Sequence, residues 1–86
     1  MATVLTASAP SRDAYQAIHE QVGGTAAGLI VHTASEVDGK VRIVEVWESR
    51  QHIDEFVQTK LVPALANLGL AMDPPELSET FSIERD

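Results

Sequence analysis

The residues best placed to do chemistry lie on either side of Asp38-Gly39. That dipeptide is a strong signal for a two-residue β-hairpin loop, because a type I′ turn needs positive φ at both central positions. A two-residue loop sets the register, so residues whose numbers sum to 77 stand opposite one another. On this register His32 faces Glu45, Ile30 faces Trp47 and Ala34 faces Ile43, all on one side of the ribbon. Leu29 with Glu48, Val31 with Val46 and Thr33 with Val44 fall on the other side, which is largely aliphatic. Opposed side chains have Cβ atoms about 5 Å apart, so an imidazole and a carboxylate are brought into contact. Such a carboxylate accepts from one ring nitrogen and holds the other in place, which is the arrangement of an oriented general base. His32 is then the candidate base and Glu45 its orienting partner, with Trp47 beside them. The plainer reading of the same pair is a buried structural hydrogen bond, or a surface pair if this face is wet, and the residues alone leave these readings open.

Other candidates carry less. Gly23-Gly24-Thr-Ala-Ala-Gly28 is glycine-rich but lacks the lysine of a phosphate-binding loop, so it reads as a plain connection. His19 and His52 each fall one helical turn from an aromatic residue, Tyr15 and Phe56, and read as solvated or half-buried helix residues. Arg50 stands in the first turn of a helix, where the macrodipole does not favour it, and reads as a partner for Glu48 or Asp54, the alternative being a residue that closes the pocket mouth. With no cysteine and three scattered histidines, no metal site is assigned.

The elements that must position these groups follow from periodicity. Thr3–Ala7 is a β-branched and apolar run, broken by Ser8-Ala-Pro-Ser11. Ser8 or Ser11 can cap the next helix, whose apolar positions Tyr15, Ile18 and Val22 lie at helical spacing until Gly23-Gly24. The hairpin arms are 28–37 and 41–48. Ser49 reads as the N-cap of a second helix, with one apolar stripe from Ile53 to Leu68 and a stop at Gly69. Pro63 falls inside that stripe and should break its hydrogen-bond ladder. A rigid Met72-Asp-Pro-Pro75 loop leads to a last strand, Leu77–Ile83. Strand, helix, strand, strand, helix, strand is the ferredoxin-like order: an α+β fold whose four-stranded antiparallel sheet has both helices on one face.

The 86 residues make one domain, 1–86. A core this small is marginal alone, and without disulfides the remedy left is a partner subunit, here a second copy laid on the open sheet face. Thirteen acidic against six basic residues give a net charge of −7, which disfavours nucleic acid and anionic membrane surfaces. No basic stretch precedes an apolar run at the start, and no run approaches the roughly 18 apolar residues of a membrane span, so a cytoplasmic protein is expected.

The stretch Val44-Glu-Val-Trp-Glu-Ser-Arg50, followed by Ile53, Phe56 and Leu61-Val-Pro-Ala-Leu65, resembles the antibiotic biosynthesis monooxygenase-like branch of the dimeric α+β barrel superfamily. The arm Gly28-Leu-Ile-Val-His32 leading to Asp38-Gly39, and the Pro74-Pro75 loop, fit the same pattern. The resemblance covers most of residues 3–84. It implies two ferredoxin-like sheets paired across a two-fold axis as a barrel, with a pocket between sheet and helices in each subunit. The side with Val31, Val44 and Val46 would face the dimer, and the side with His32, Glu45 and Trp47 the pocket. The implied activity is a cofactor-independent monooxygenase acting on a small hydrophobic molecule, aromatic or polyketide-like, walled by Trp47, Phe56, Tyr15, Ile43 and Ile53. The alternatives are a non-catalytic dimeric ligand-binding or scaffold module, and a polyketide cyclase or isomerase. The chain departs from the pattern where quinone-forming relatives carry a polar residue and a tyrosine, positions held here by Ile43 and Ile53. It also departs at Phe56 and Ala66, where haem-degrading relatives carry a tryptophan and a histidine. Where the cyclase branch has a histidine, this chain has Val62-Pro63.

Overall fold

Four strands and two helical segments form one layer each, and they are seen in a computed structural model that describes residues 2–23 and 26–82. Strand β1 is Thr3–Ala9, helix α1 Arg12–Val22, strand β2 Leu29–Val37 and strand β3 Lys40–Trp47. Helix α2 covers Arg50–Phe56, continues through a π-turn at Val57–Leu61, and becomes helix α3, Val62–Leu68. Strand β4, Glu76–Glu79, completes the chain of elements. The sheet order is β2-β3-β1-β4 with every pair antiparallel. This is the α+β, ferredoxin-like arrangement expected from the order of elements.

β1 runs two residues further than the Ser8 break implies, because Ser8 and Ala9 pair with Arg42 and Val41 and Ala9 is buried. Pro10, not Ser8, ends it. The cap of α1 is Ser11, whose side chain accepts from the Ala14 N–H at 3.1 Å. β4 ends at Glu79, short of the expected strand, and Ile83 lies outside the described residues, as does Gly24 of the helix-stopping glycine pair. Among the described residues no helix is long and apolar enough to cross a membrane.

The hairpin turns at Asp38 (φ 51°) and Gly39 (φ 81°), as a type I′ turn demands. Its register holds from the loop to Val31: His32 pairs with Glu45, Ala34 with Ile43, Thr33 with Val44 and Val31 with Val46. Beyond Val31 the expectation fails. Trp47 pairs with Leu29, Ile30 is a bulge, and Leu29 does not stand opposite Glu48. The bulge turns Leu29 to the helix-covered face, where it packs on the cluster of Leu5, Trp47 and Ile53. Burying that leucine outweighs one regular step of the ladder. The start of β2 is also pinned from outside the hairpin. The Gly28 carbonyl accepts from the Glu48 N–H at 2.8 Å. A Cβ at Gly28 would clash with the His52 ring, so the backbone crosses the imidazole at a distance only glycine permits.

Pro63 breaks the second helix as its chemistry requires, but through a widened turn. The Val62 N–H donates to the Val57 carbonyl, five residues back, and Pro63 then sits in the first turn of α3, where its missing N–H costs nothing. One turn earlier the Thr59 hydroxyl donates to the Glu55 carbonyl at 2.7 Å.

Candidate active site

Alternate residues of β3 are buried: Val41, Ile43, Glu45 and Trp47 point toward the helices. Between them and α1 lies a cavity of about 320 Å³. Its wall is aliphatic and aromatic except for His19 and one connected set of polar groups. Glu45 is the buried charged residue of the core. Its Oε1 accepts from the Trp47 indole N–H at 3.0 Å, and its Oε2 lies 2.5 Å from His32 Nδ1. The other ring nitrogen, Nε2, lies 2.7 Å from the Tyr15 hydroxyl on α1. The result is a four-residue chain, Trp47–Glu45–His32–Tyr15, drawn from two strands and a helix. An indole can only donate, so Trp47 holds the carboxylate in one orientation. With Nδ1–H donated to Glu45, the neutral imidazole accepts the Tyr15 O–H at Nε2.

His19, one turn along α1 from Tyr15, completes a group of three rings. Its centroid is 5.7 Å from that of Tyr15 and 5.9 Å from that of His32, and Tyr15 and His32 are 6.1 Å apart. On the far side Trp47 meets Phe56 at 5.1 Å. The His32 side chain retains 30% exposure against 9% for Glu45, so the chain of hydrogen bonds runs from the interior toward an accessible rim.

Of the residues picked from the sequence, His32, Glu45, Trp47, Phe56, Tyr15 and Ile43 line this cavity together. Ile53 does not. It is buried beneath the wall, packed with Leu5 and Trp47, because its place on α2 points it at the sheet rather than at the opening. Leu29, His19 and Met72 line the cavity too. The signal for His19 was present in its four-residue spacing from Tyr15; Leu29 depends on the bulge and had none. Arg50 forms no ion pair with Glu48 or Asp54 among the described residues; Glu48 instead approaches His52 at 4.0 Å.

Burial, and behind it the negative charge of Glu45, push the Tyr15 phenol above its usual value of 10.0. Tyr15 is the one tyrosine of the chain, so an alkaline absorbance titration reads it alone. The midpoint is expected above 10, and Glu45→Gln should bring it back toward the ordinary value. A raised value in the folded state means stability that is complete below the unfolded tyrosine's pKa and is lost as pH rises through the folded one. A Tyr15 midpoint at or below 10 in the folded protein would contradict the placement of this ring.

No protein-family model matches the chain, and no curated protein is similar to it. Solved structures are. A crystal structure of a protein from Chloroflexus aurantiacus J-10-fl, named "putative Antibiotic biosynthesis monooxygenase", superposes with a TM-score of 0.74 at 18% identity, over 99% of this chain and 98% of that one. One from Deinococcus radiodurans bearing the same name gives 0.62 at 16% identity, over 99% and 100%. A conserved protein from Methanosarcina mazei Go1 gives 0.59 at 13% identity, over 91% and 89%. At these identities what the chain shares with them is the fold, an α+β ferredoxin-like unit of the kind found in proteins bearing the antibiotic biosynthesis monooxygenase name.

Proposed function

We propose that this chain belongs with the antibiotic biosynthesis monooxygenase-like proteins and acts on a small, largely apolar molecule held between sheet and helices. The observation that carries the reading is the His32–Glu45 hydrogen bond at the wall of a cavity lined mostly by apolar groups. An imidazole so oriented can receive a proton from a weakly acidic substrate, with the new positive charge facing a fixed carboxylate. An electron-rich aromatic deprotonated in a largely apolar pocket becomes an electron donor to dioxygen, which enters as co-substrate. The overall change is a CH₂ and O₂ giving C=O and H₂O, so the substrate supplies all the electrons and the protein needs to hold and move only the proton. A dimer formed through the open sheet face belongs to the same proposal.

Oxygen uptake with anthrone, whose methylene is acidified by the ketone and two rings, tests it. Product is anthraquinone, read by absorbance. His32→Ala should lower kcat by about 10²-fold or more, the usual contribution of a positioned base. Stability should fall by about 1–3 kcal/mol, from the buried acceptor left on Glu45. Undiminished turnover in His32→Ala would remove His32 from the reaction.

One observation favours a second reading, a dimeric module that binds without turnover. Ile43 lines the cavity as a plain aliphatic wall, where the resembling oxygenases carry a polar group. Binding of anthrone, seen as a change in the emission of the single tryptophan, with no oxygen uptake would favour it.

A further inference from the structure

Resting on the functional reading above, we infer that Tyr15, not His32, is the group that meets the ligand, and that it recognises a neutral hydroxyl or enol.

The argument is one of occupancy. His32 Nδ1 is engaged by Glu45 at 2.5 Å and Nε2 by Tyr15 at 2.7 Å, so neither ring nitrogen presents a free lone pair to the cavity. With the imidazole neutral and its Nδ1–H on Glu45, the Tyr15 hydroxyl gives its proton to Nε2 and keeps its own lone pairs for an incoming donor. Tyr15 lines the same cavity, and its ring is held by the stacked imidazoles of His19 and His32. Proton movement then runs in one direction with nothing left over. The ligand O–H gives its proton to Tyr15 Oη while the original Tyr15 proton passes to His32 Nε2. The ligand becomes an anion and His32 an imidazolium whose charge is met by Glu45. Among the described residues no lysine or arginine lines the cavity, and the buried carboxylate repels negative charge. The ligand therefore arrives neutral and loses its proton inside, rather than arriving as a carboxylate or phosphate.

The test compares 2-naphthol with 2-methylnaphthalene, which has nearly the same shape but no donor, using Trp47 emission to read binding. Wild-type protein should bind both. Tyr15→Phe keeps a ring against His32 and so keeps the ligand away from Nε2. It should weaken 2-naphthol by about 5-fold, one hydrogen bond, and leave 2-methylnaphthalene within about 2-fold. With anthrone the same variant should lose about 10²-fold in kcat with little change in KM. If Tyr15→Phe leaves the 2-naphthol affinity unchanged, or preserves turnover by freeing Nε2, His32 meets the ligand directly and the inference falls while the functional reading stands. If wild-type protein binds neither probe, the functional reading falls and takes this inference with it.

Discussion

Trp47→Ala should leave a protein that is largely unfolded at 37 °C. The indole is completely buried, packed with Leu5, Ile53 and the Phe56 ring, and it pairs in the ladder with Thr3 on one side and Leu29 on the other. Truncating a buried tryptophan costs about 3–5 kcal/mol. Collapse cannot recover much of that, because the site already borders an open cavity. The indole N–H is also a partner of Glu45 Oε1, and a buried acceptor left bare adds about 1–3 kcal/mol. A small domain has about 5–15 kcal/mol to lose, and each kilocalorie moves the midpoint of one this size by about 4–8 °C. The measurement is thermal unfolding followed by circular dichroism, since the variant has no tryptophan left to report. Trp47→Phe separates the two contributions: it keeps most of the apolar contact, loses the N–H, and should cost about 1–3 kcal/mol. Equal losses in the two variants would mean that the hydrogen bond to Glu45, not packing, holds the position.

How far such a site is readable before any coordinates depends on whether its geometry is local. The His32–Glu45 contact is. Two residues at a turn, Asp38 and Gly39, are enough to set which side chains stand opposite, because the period of a strand is two and a hairpin loop admits few lengths. The same reasoning fails three residues beyond His32, at Leu29. There the ladder competes with the burial of a leucine against Trp47 and with the crossing of Gly28 over His52, neither of which is visible in the hairpin's own residues. Pro63 behaves similarly. That it must interrupt a helical ladder is intrinsic to its ring; that the interruption takes the form of a π-turn at Val57–Leu61 is not specified by the ring alone. Tyr15 shows the limit for function. Its helical spacing assigns it to the buried stripe of α1, and so to the pocket wall. The 2.7 Å contact with His32 depends on how α1 is laid across the sheet, which no local pattern encodes.

Val44→Glu should convert a dimer into a monomer. Val44 sits on the central strand β3 between Thr33 of β2 and Thr6 of β1, on the face turned away from the helices. Around it lie Val4, Val46 and Val31, and Val31 is 39% exposed in the single chain. Among the described residues nothing in one copy covers this face, since both helical segments pack on the other, and a β-branched surface of this kind is the sort that a symmetric partner buries. A glutamate placed there stays hydrated in the monomer. In a two-fold interface it would be stripped of water, at a cost of several kcal/mol per buried ion. Light scattering at micromolar concentration should report twice the 9.3 kDa chain mass for the wild type and a single chain for the variant. Val44→Thr, of nearly the same shape and uncharged, should remain dimeric. The cavity lies across the sheet from Val44, so the glutamate variant should still change its Trp47 emission with 2-naphthol wherever it remains folded. A wild-type protein that scatters as a single chain would overturn the barrel arrangement, and a Val44→Glu variant that stays dimeric would place the interface on another face of the molecule.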